Sequence, residues 1–441
     1  MYGRKSRVKS DSKINVVTMG CSKNVVDSES LLGQLKVSGS ALTSSVEDAD
    51  TVVINTCGFI EAAKQESIDA ILEAVERKKN GELKKIVVMG CLSDRYKKEL
   101  MLEIPEVDIF FGSNNIKEVV QELGGDFKKE LLGERVISTP NHYAFLKISE
   151  GCDNPCSFCS IPIMRGKHRS KPTDEVLRET RFLTSHGVKE LIIIAQDSTY
   201  YGLDLYGERR LASLLTMLAE SKGVEWLRLM YAYPAKFPKD VIDVFRDHPN
   251  ICRYLDIPVQ HISDVVLKSM RRGITSRLTR ELLNTIKEAL PGMALRTTLI
   301  VGYPGETEKD FQLLYDFVAE TKFHRLGIFT YSHEDGTTAY PLGDPIPTDV
   351  KEQRRETLMN LQKSISEERN EAIIGTRAKV MIDRAEDGIF VGRTEWDAPE
   401  IDQEVFVQSD PKIAVGNFYE VEITGATEYD LYARIAAESH R

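Results

Sequence analysis

Residues 144–148, Ala144-Phe145-Leu146-Lys147-Ile148, run through Ser149-Glu150 into Gly151-Cys152-Asp153-Asn154-Pro155-Cys156-Ser157-Phe158-Cys159. An apolar, strand-like run therefore ends in a loop with three thiols at C-x3-C-x2-C spacing. Comparable apolar runs recur at residues 191–195, 226–231, 254–257, 295–301 and 326–331. Helical patterns fall between them, for example over 176–185 and 211–221. Six β/α units over residues 140–374 predict an open (β/α)6 partial barrel, smaller than the closed eight-unit form. In barrels of this kind the chemistry sits on the loops that follow the strands, and the cysteine loop follows the first. Thr348 is expected to cap a charged helix that closes the unit.

Upstream, residues 14–138 carry three β-branched apolar runs, at 14–19, 51–55 and 86–89, as parallel strands covered on both faces would. Ile68, Ile71, Leu72 and Val75 share one helical face between them. Alternating strand and helix predict a doubly wound α/β domain. Each run leads into a cysteine: Gly20-Cys21, Asn55-Thr56-Cys57 and Gly90-Cys91. The carboxyl edge of an open parallel sheet is where ligands bind, so these loops are expected to bring the three thiols together. Cys21 and Cys57 also precede helices, whose N-termini favour thiolate. The plainer alternative is three buried core cysteines.

Downstream, residues 376–441 change period. Tyr419, Val421 and Ile423 alternate with Glu420, Glu422 and Thr424, and further short runs are separated by turn residues, which predicts a small antiparallel β-barrel. The chain of 441 residues carries 58 Lys and Arg against 68 Asp and Glu, a net charge of −10. The tail segment alone has 7 against 14. Residues 1–13 are basic with no apolar core after them and read as a disordered tail, not a secretory signal. No run of 18 or more apolar residues occurs, so no helical membrane span is expected. Seven cysteines without an export signal argue against a disulfide framework and for metal or redox chemistry.

Soft thiolates select iron–sulfur clusters, zinc or Cu(I). Three cysteines on a cuboidal 4Fe–4S cluster leave one iron open to a substrate. The zinc alternative recruits His168 as a fourth ligand in a closed structural site. Cys252 has no partner pattern and reads as a small core residue.

The C-x3-C-x2-C loop after the first barrel strand resembles the signature of the radical S-adenosylmethionine (SAM) superfamily. With three spaced upstream cysteines and a small downstream barrel, the chain resembles the methylthiotransferases. Further matching stretches are Gly20-Cys21-Ser22-Lys23-Asn24, Ile161-Pro162-Ile163-Met164-Arg165-Gly166 and Thr298-Leu299-Ile300-Val301-Gly302-Tyr303-Pro304-Gly305-Glu306. The resemblance implies that Cys152, Cys156 and Cys159 ligate a SAM-binding 4Fe–4S cluster that generates a 5′-deoxyadenosyl radical. It implies that Cys21, Cys57 and Cys91 ligate a second 4Fe–4S cluster whose open iron carries the sulfur. Two SAM molecules are needed, one for the methyl group and one for the radical, and the clusters must face each other across the substrate. Phe158 is expected at the adenine. Gln196 and Asp197 are expected at the methionyl or ribose groups, with Gln260 and Tyr331 at later strand ends, while Gly302 lets a ligand approach the backbone.

The methylthiotransferases split between an adenosine of transfer RNA and the β-carbon of an aspartate in ribosomal protein S12. The tail barrel resembles the TRAM domain, often an RNA binder, but its acidity opposes phosphate binding and suits a basic protein partner. The stretch Gly392-Arg393-Thr394-Glu395-Trp396-Asp397-Ala398-Pro399-Glu400-Ile401-Asp402 also resembles the ribosomal-protein branch. The expectation is a cytoplasmic enzyme acting on ribosomal protein S12, with no direct tRNA substrate and no membrane partner, served by an electron donor such as flavodoxin or ferredoxin. The alternatives are the tRNA-adenosine enzyme and a non-catalytic metal-binding scaffold.

Overall fold

The structure, a computed structural model, describes residues 12–128 and 133–436. Of the basic tail read at 1–13, residues 1–11 lie outside the described residues, and Lys13 is the first residue of the first strand. The chain divides into two compact units.

The first unit comprises residues up to 138 together with 150–153 and 160–182. Its parallel sheet runs, in spatial order, Ala41–Leu42, Lys13–Thr18, Thr51–Thr56, Lys85–Gly90, Ile109–Phe110. Alternate residues of each central strand serve opposite faces. Val52, Ile54, Ile86 and Val88 pack with Ile71, Ala74 and Val75 of the helix Glu61–Lys79. Val53, Val87 and Met89 pack with Leu31 and Leu35 of the helix Ser22–Val37 and with Val119 and Val120. Two apolar layers, one on each face, are the doubly wound arrangement that the β-branched runs require. Leu72 departs from the expected helical face: it is 45% exposed, because the buried stripe follows Ile71 and Val75. The two-residue edge strands were beyond the reach of any periodicity.

The second unit comprises 139–149, 154–159 and 183 onward. Six parallel strands lie in sequence order: Tyr143–Lys147, Glu190–Ile194, Trp226–Leu229, Ile251–Asp256, Ala294–Val301 and Arg325–Thr330. The sheet does not close, as expected of a six-unit barrel. The charged helix runs Thr348–Ala372, with Pro347 and not Thr348 at the cap position.

The tail forms a closed barrel from Arg377–Glu386, Ile389–Thr394, Val405–Val407, Leu431–Ile435 and Phe418–Ala426. Val380, Ile382, Val405, Val407, Val421 and Ile423 fill it. Four of its pairings are antiparallel, but Val405–Val407 pairs parallel with Leu431–Ile435. The tail belongs to the same compact unit as the six-stranded sheet, because residues 393–402 insert ions among the strand starts. Glu190, fully buried, lies between Arg228 (2.7 Å) and Arg393 (2.6 Å). Arg325 pairs with Asp397, and Arg296 with Asp402 at 3.5 Å. Tyr254 donates to Asp402 (2.7 Å) and Tyr143 to Glu400 (3.2 Å). Asp397 and Asp402 are neutralised by arginines outside the tail, so the bare charge count overstates the field offered to a basic partner. The stretch 392–402 acts first as a structural dock.

Candidate metal and cofactor sites

Within the first unit, the three cysteines stand at the carboxyl ends of three adjacent strands. Cys21 caps the helix Ser22–Val37, Cys57 follows Thr51–Thr56, and Cys91 opens the helix Cys91–Glu103. The first two follow the strands between which this sheet reverses its order, the crevice where such sheets take ligands. Gly20 shows how closely the loops approach: a Cβ there would sit 2.6 Å from Cys57 Cβ and 2.8 Å from its Sγ. Cys21 is exposed while Cys57 and Cys91 are buried. Burial pushes the Cys57 thiol above its ordinary range, and the expected helix-terminus effect does not offset it because the next helix starts only at Glu61. Burial pushes Cys91 up to about 12, with the Arg165 charge opposing it. Arg165 Nε donates to Cys91 Sγ at 3.2 Å.

Among the described residues no group of three His, Cys, Asp or Glu side chains closes on a single ion. His168, the fourth ligand of the zinc alternative, is buried, with Nε2 paired to Ser170 Oγ at 3.0 Å. Soft thiolates spread over three loops, with a buried N–H aimed at one sulfur, fit a multi-iron cluster.

In the second unit, residues 154–159 are pinned from several sides. Ser157 N donates to Met270 O (3.0 Å), and Ser157 Oγ pairs with Tyr303 Oη (2.9 Å). Cys156 Sγ receives Arg272 Nη1 at 3.2 Å and lies 3.6 Å from Tyr233 Oη. Arg272 is buried, stacks 4.3 Å from the Tyr233 ring centroid, and also donates to Pro258 O. Arg272 and Tyr233 were not among the expected site residues, since no motif or spacing marks them.

The expected SAM contacts fall into separate groups. Phe158 packs against an apolar cluster that contains Tyr303 and Tyr331, so two expected residues are brought together. Asp197 is buried and committed to the loops: it accepts from Asn154 Nδ2 (2.8 Å) and from Thr199 N (2.9 Å). It orients the cysteine loop. Gln196 lies half-buried beside it. Gln260 has φ +70° and bridges two backbone groups of the neighbouring strand, Thr298 O and Ile300 N. Its Oε1 and the Tyr331 hydroxyl are buried with no hydrogen-bond partner among the described residues. Leaving such atoms unpaired costs about 1–3 kcal/mol each, so a polar ligand at this rim has groups waiting for it. Gly302 has a neighbour from its own chain. A Cβ there would run into Lys351 Cγ, so the space on that side of the backbone is taken by a lysine of this chain. Cys252 is 1% exposed in the core, as read from its isolation.

Comparison with known proteins bears on both sites. Residues 13–112 match the Uncharacterized protein family UPF0004, 146–318 the Radical SAM superfamily and 374–436 the TRAM domain. The ribosomal protein uS12 methylthiotransferase RimO of Cytophaga hutchinsonii is 51% identical over 434 residues, covering 98% of this chain and 99% of its own. That of Flavobacterium johnsoniae is 52% identical over 429 residues, covering 96% and 98%. The chain belongs to the ribosomal protein uS12 methylthiotransferase RimO family. The resemblance to the methylthiotransferases therefore holds, and the three-part architecture with it. Among solved structures, the radical S-adenosylmethionine methyltransferase TsrM from Kitasatospora setae, with cobalamin and a [4Fe-4S] cluster bound, shares the fold. It aligns at a TM-score of 0.57 and 12% identity over 92% of this chain and 84% of its own.

Proposed function

We propose that the chain adds a methylthio group to the β-carbon of an aspartate in ribosomal protein uS12. The observation that carries this reading is 51% identity to a RimO protein across 98% of the chain, together with two cysteine trios at strand-end loops. Residues 14–138 provide Cys21, Cys57 and Cys91 for one 4Fe–4S cluster. Residues 140–374 provide Cys152, Cys156 and Cys159 for the cluster that binds SAM, and residues 376–441 form the accessory barrel. When bound, the clusters and SAM supply a hydrogen-abstracting radical and the sulfur and methyl groups to be transferred.

The protein's own residues hold and shield. Arg272 and Tyr233 fix the Cys156 sulfur, and Asp197 fixes Asn154 of the same loop. Phe158 and Tyr331 present an apolar wall with one unpaired hydroxyl. Gln260 Oε1 offers an acceptor at the same end of the sheet. No helix among the described residues is long and apolar enough to cross a membrane. The reading places the reaction in the cytoplasm, with flavodoxin or ferredoxin as the reductant.

Mass spectrometry of uS12 from cells with and without the gene tests the substrate. A methylthio mass increment on one aspartate, present only with the gene, is expected. The increment appearing instead on tRNA adenosine would overturn the substrate. Anaerobically prepared protein is expected to be brown with about eight irons per chain. A Cys57→Ala variant should lose about half of that iron and all product while still cleaving SAM.

A further inference from the structure

The segments Gly20-Cys21-Ser22-Lys23-Asn24 and Ile161-Pro162-Ile163-Met164-Arg165-Gly166 meet inside the first unit. Arg165 is 1% exposed. Besides Cys91 Sγ, its guanidinium reaches Asn24 Oδ1 (2.5 Å), Asp27 Oδ2 (3.0 Å) and Glu150 Oε2 (2.9 Å). Asn24 is fully buried and gives its Nδ2 to two carbonyls, Met19 O at 2.8 Å and Thr56 O at 3.1 Å. Met19 lies two residues before Cys21, and Thr56 immediately before Cys57. One arginine–asparagine pair thus touches all three cysteine-bearing segments: the first two through backbone carbonyls, the third through the sulfur itself.

The chemistry of the pair narrows its role. Asp27 and Glu150 already supply two carboxylates for one guanidinium, so Arg165 is not there only to balance thiolate charge. Its planar fork delivers separate N–H groups in fixed directions, which a lysine ammonium cannot do. An N–H given to a ligand sulfur draws electron density from a bound cluster and stabilises its reduced form.

We propose that Arg165, braced by Asn24, is a positioning residue of the second cluster: it holds the three cysteine loops in register and raises the reduction potential through Cys91. The proposal rests on the reading of Cys21, Cys57 and Cys91 as cluster ligands.

The test uses the full chain with Cys152, Cys156 and Cys159 replaced by alanine, so that one cluster remains. This background is reconstituted anaerobically with iron and sulfide and titrated with dithionite under electron paramagnetic resonance, with and without Arg165→Lys. Lysine keeps the charge opposite Asp27 and Glu150 and removes the directed donors. The expected result is about four irons per chain in both proteins, with the one-electron equilibrium of R165K shifted at least tenfold toward the oxidised form, about 59 mV lower. Equal potentials at equal iron would overturn the proposal. Should R165K not fold, the pair R165Q and D27N, which removes one buried charge of each sign, carries the same titration and the same two outcomes. If the background protein itself takes up no iron, the ligand reading fails and this inference with it.

Discussion

Replacing Glu190 with glutamine removes the single negative charge between two buried guanidiniums and leaves the volume unchanged. Arg228 would keep the carbonyl of Glu395 (2.7 Å) and the faces of Tyr254 and Trp226, and Arg393 would keep Asp383 (2.7 Å). Neither arginine can move into water, since both side chains are 3% exposed or less. Breaking a buried ion pair from one side costs about 3–5 kcal/mol. With roughly 2–4 °C lost per kcal/mol for a large unit, the unfolding midpoint of Glu190→Gln should fall by about 6–20 °C. Burial alone would raise the Glu190 pKa, but Arg393 and Arg228 more than reverse it, so the carboxyl sits below its ordinary range. Its stabilising contribution is therefore present above the unfolded value near 4.3 and is lost as pH falls through the lower folded value. The assay is thermal unfolding of Glu190→Gln against the parent at pH 7 and again near pH 3, where the difference should shrink. A midpoint change of under about 2 °C at pH 7 would refute the claim that this ion cluster fastens the tail barrel to the sheet.

Three further expectations follow from local geometry. Gly20→Ala places a Cβ 2.8 Å from Cys57 Sγ at φ +84°, costing about 1–2 kcal/mol in torsion alone. Iron per chain should drop from about eight toward four, and full iron content would contradict the placement. Gly302→Ala should destabilise by about 2 kcal/mol or more, and adding Lys351→Ala should restore part of it, with a coupling of about 0.5–3 kcal/mol; strictly additive losses would show that Lys351 is not the obstacle. His324 is held down to about 3 by burial, with Arg369, Arg325 and Lys287 adding to it. Its folded value is depressed, so its contribution is present above about 6.5 and lost as pH falls toward 3. His324→Gln should reduce the dependence of stability on pH across that window by about 1.4 kcal/mol per unit, and an unchanged slope would count against it.

Much of this was visible in the chain because it is local. Three runs of β-branched residues, each ending in a cysteine, mark strand-end thiols without any knowledge of packing, and the C-x3-C-x2-C loop does the same. What escaped is what depends on partners far away. Arg165 reaches Cys91 and Asn24 across 74 and 141 residues, and no periodicity reports that. Residues 160–182 pack with the first unit although they follow the first strand of the second. A pattern read along the chain assigns them to the nearer strand. At Gly302 a glycine announces open space but not who borders it, and here the neighbour on the Cβ side is Lys351, 49 residues on. The acidity of the tail was legible as a count, but that Asp397 and Asp402 pair with Arg325 and Arg296 was not, because a net charge is blind to the arginines of another segment.

The ions at the strand starts bear on how substrate choice in this family can be re-engineered. Moving residues 376–441 alone into a tRNA-modifying relative would carry Asp397 and Asp402 away from Arg325 and Arg296, stranding carboxylates in the interior of the recipient. A chimera whose accessory module is to stand upright must take Glu190, Arg228, Arg296 and Arg325 along with it. In this architecture the unit of exchange is the module plus its socket.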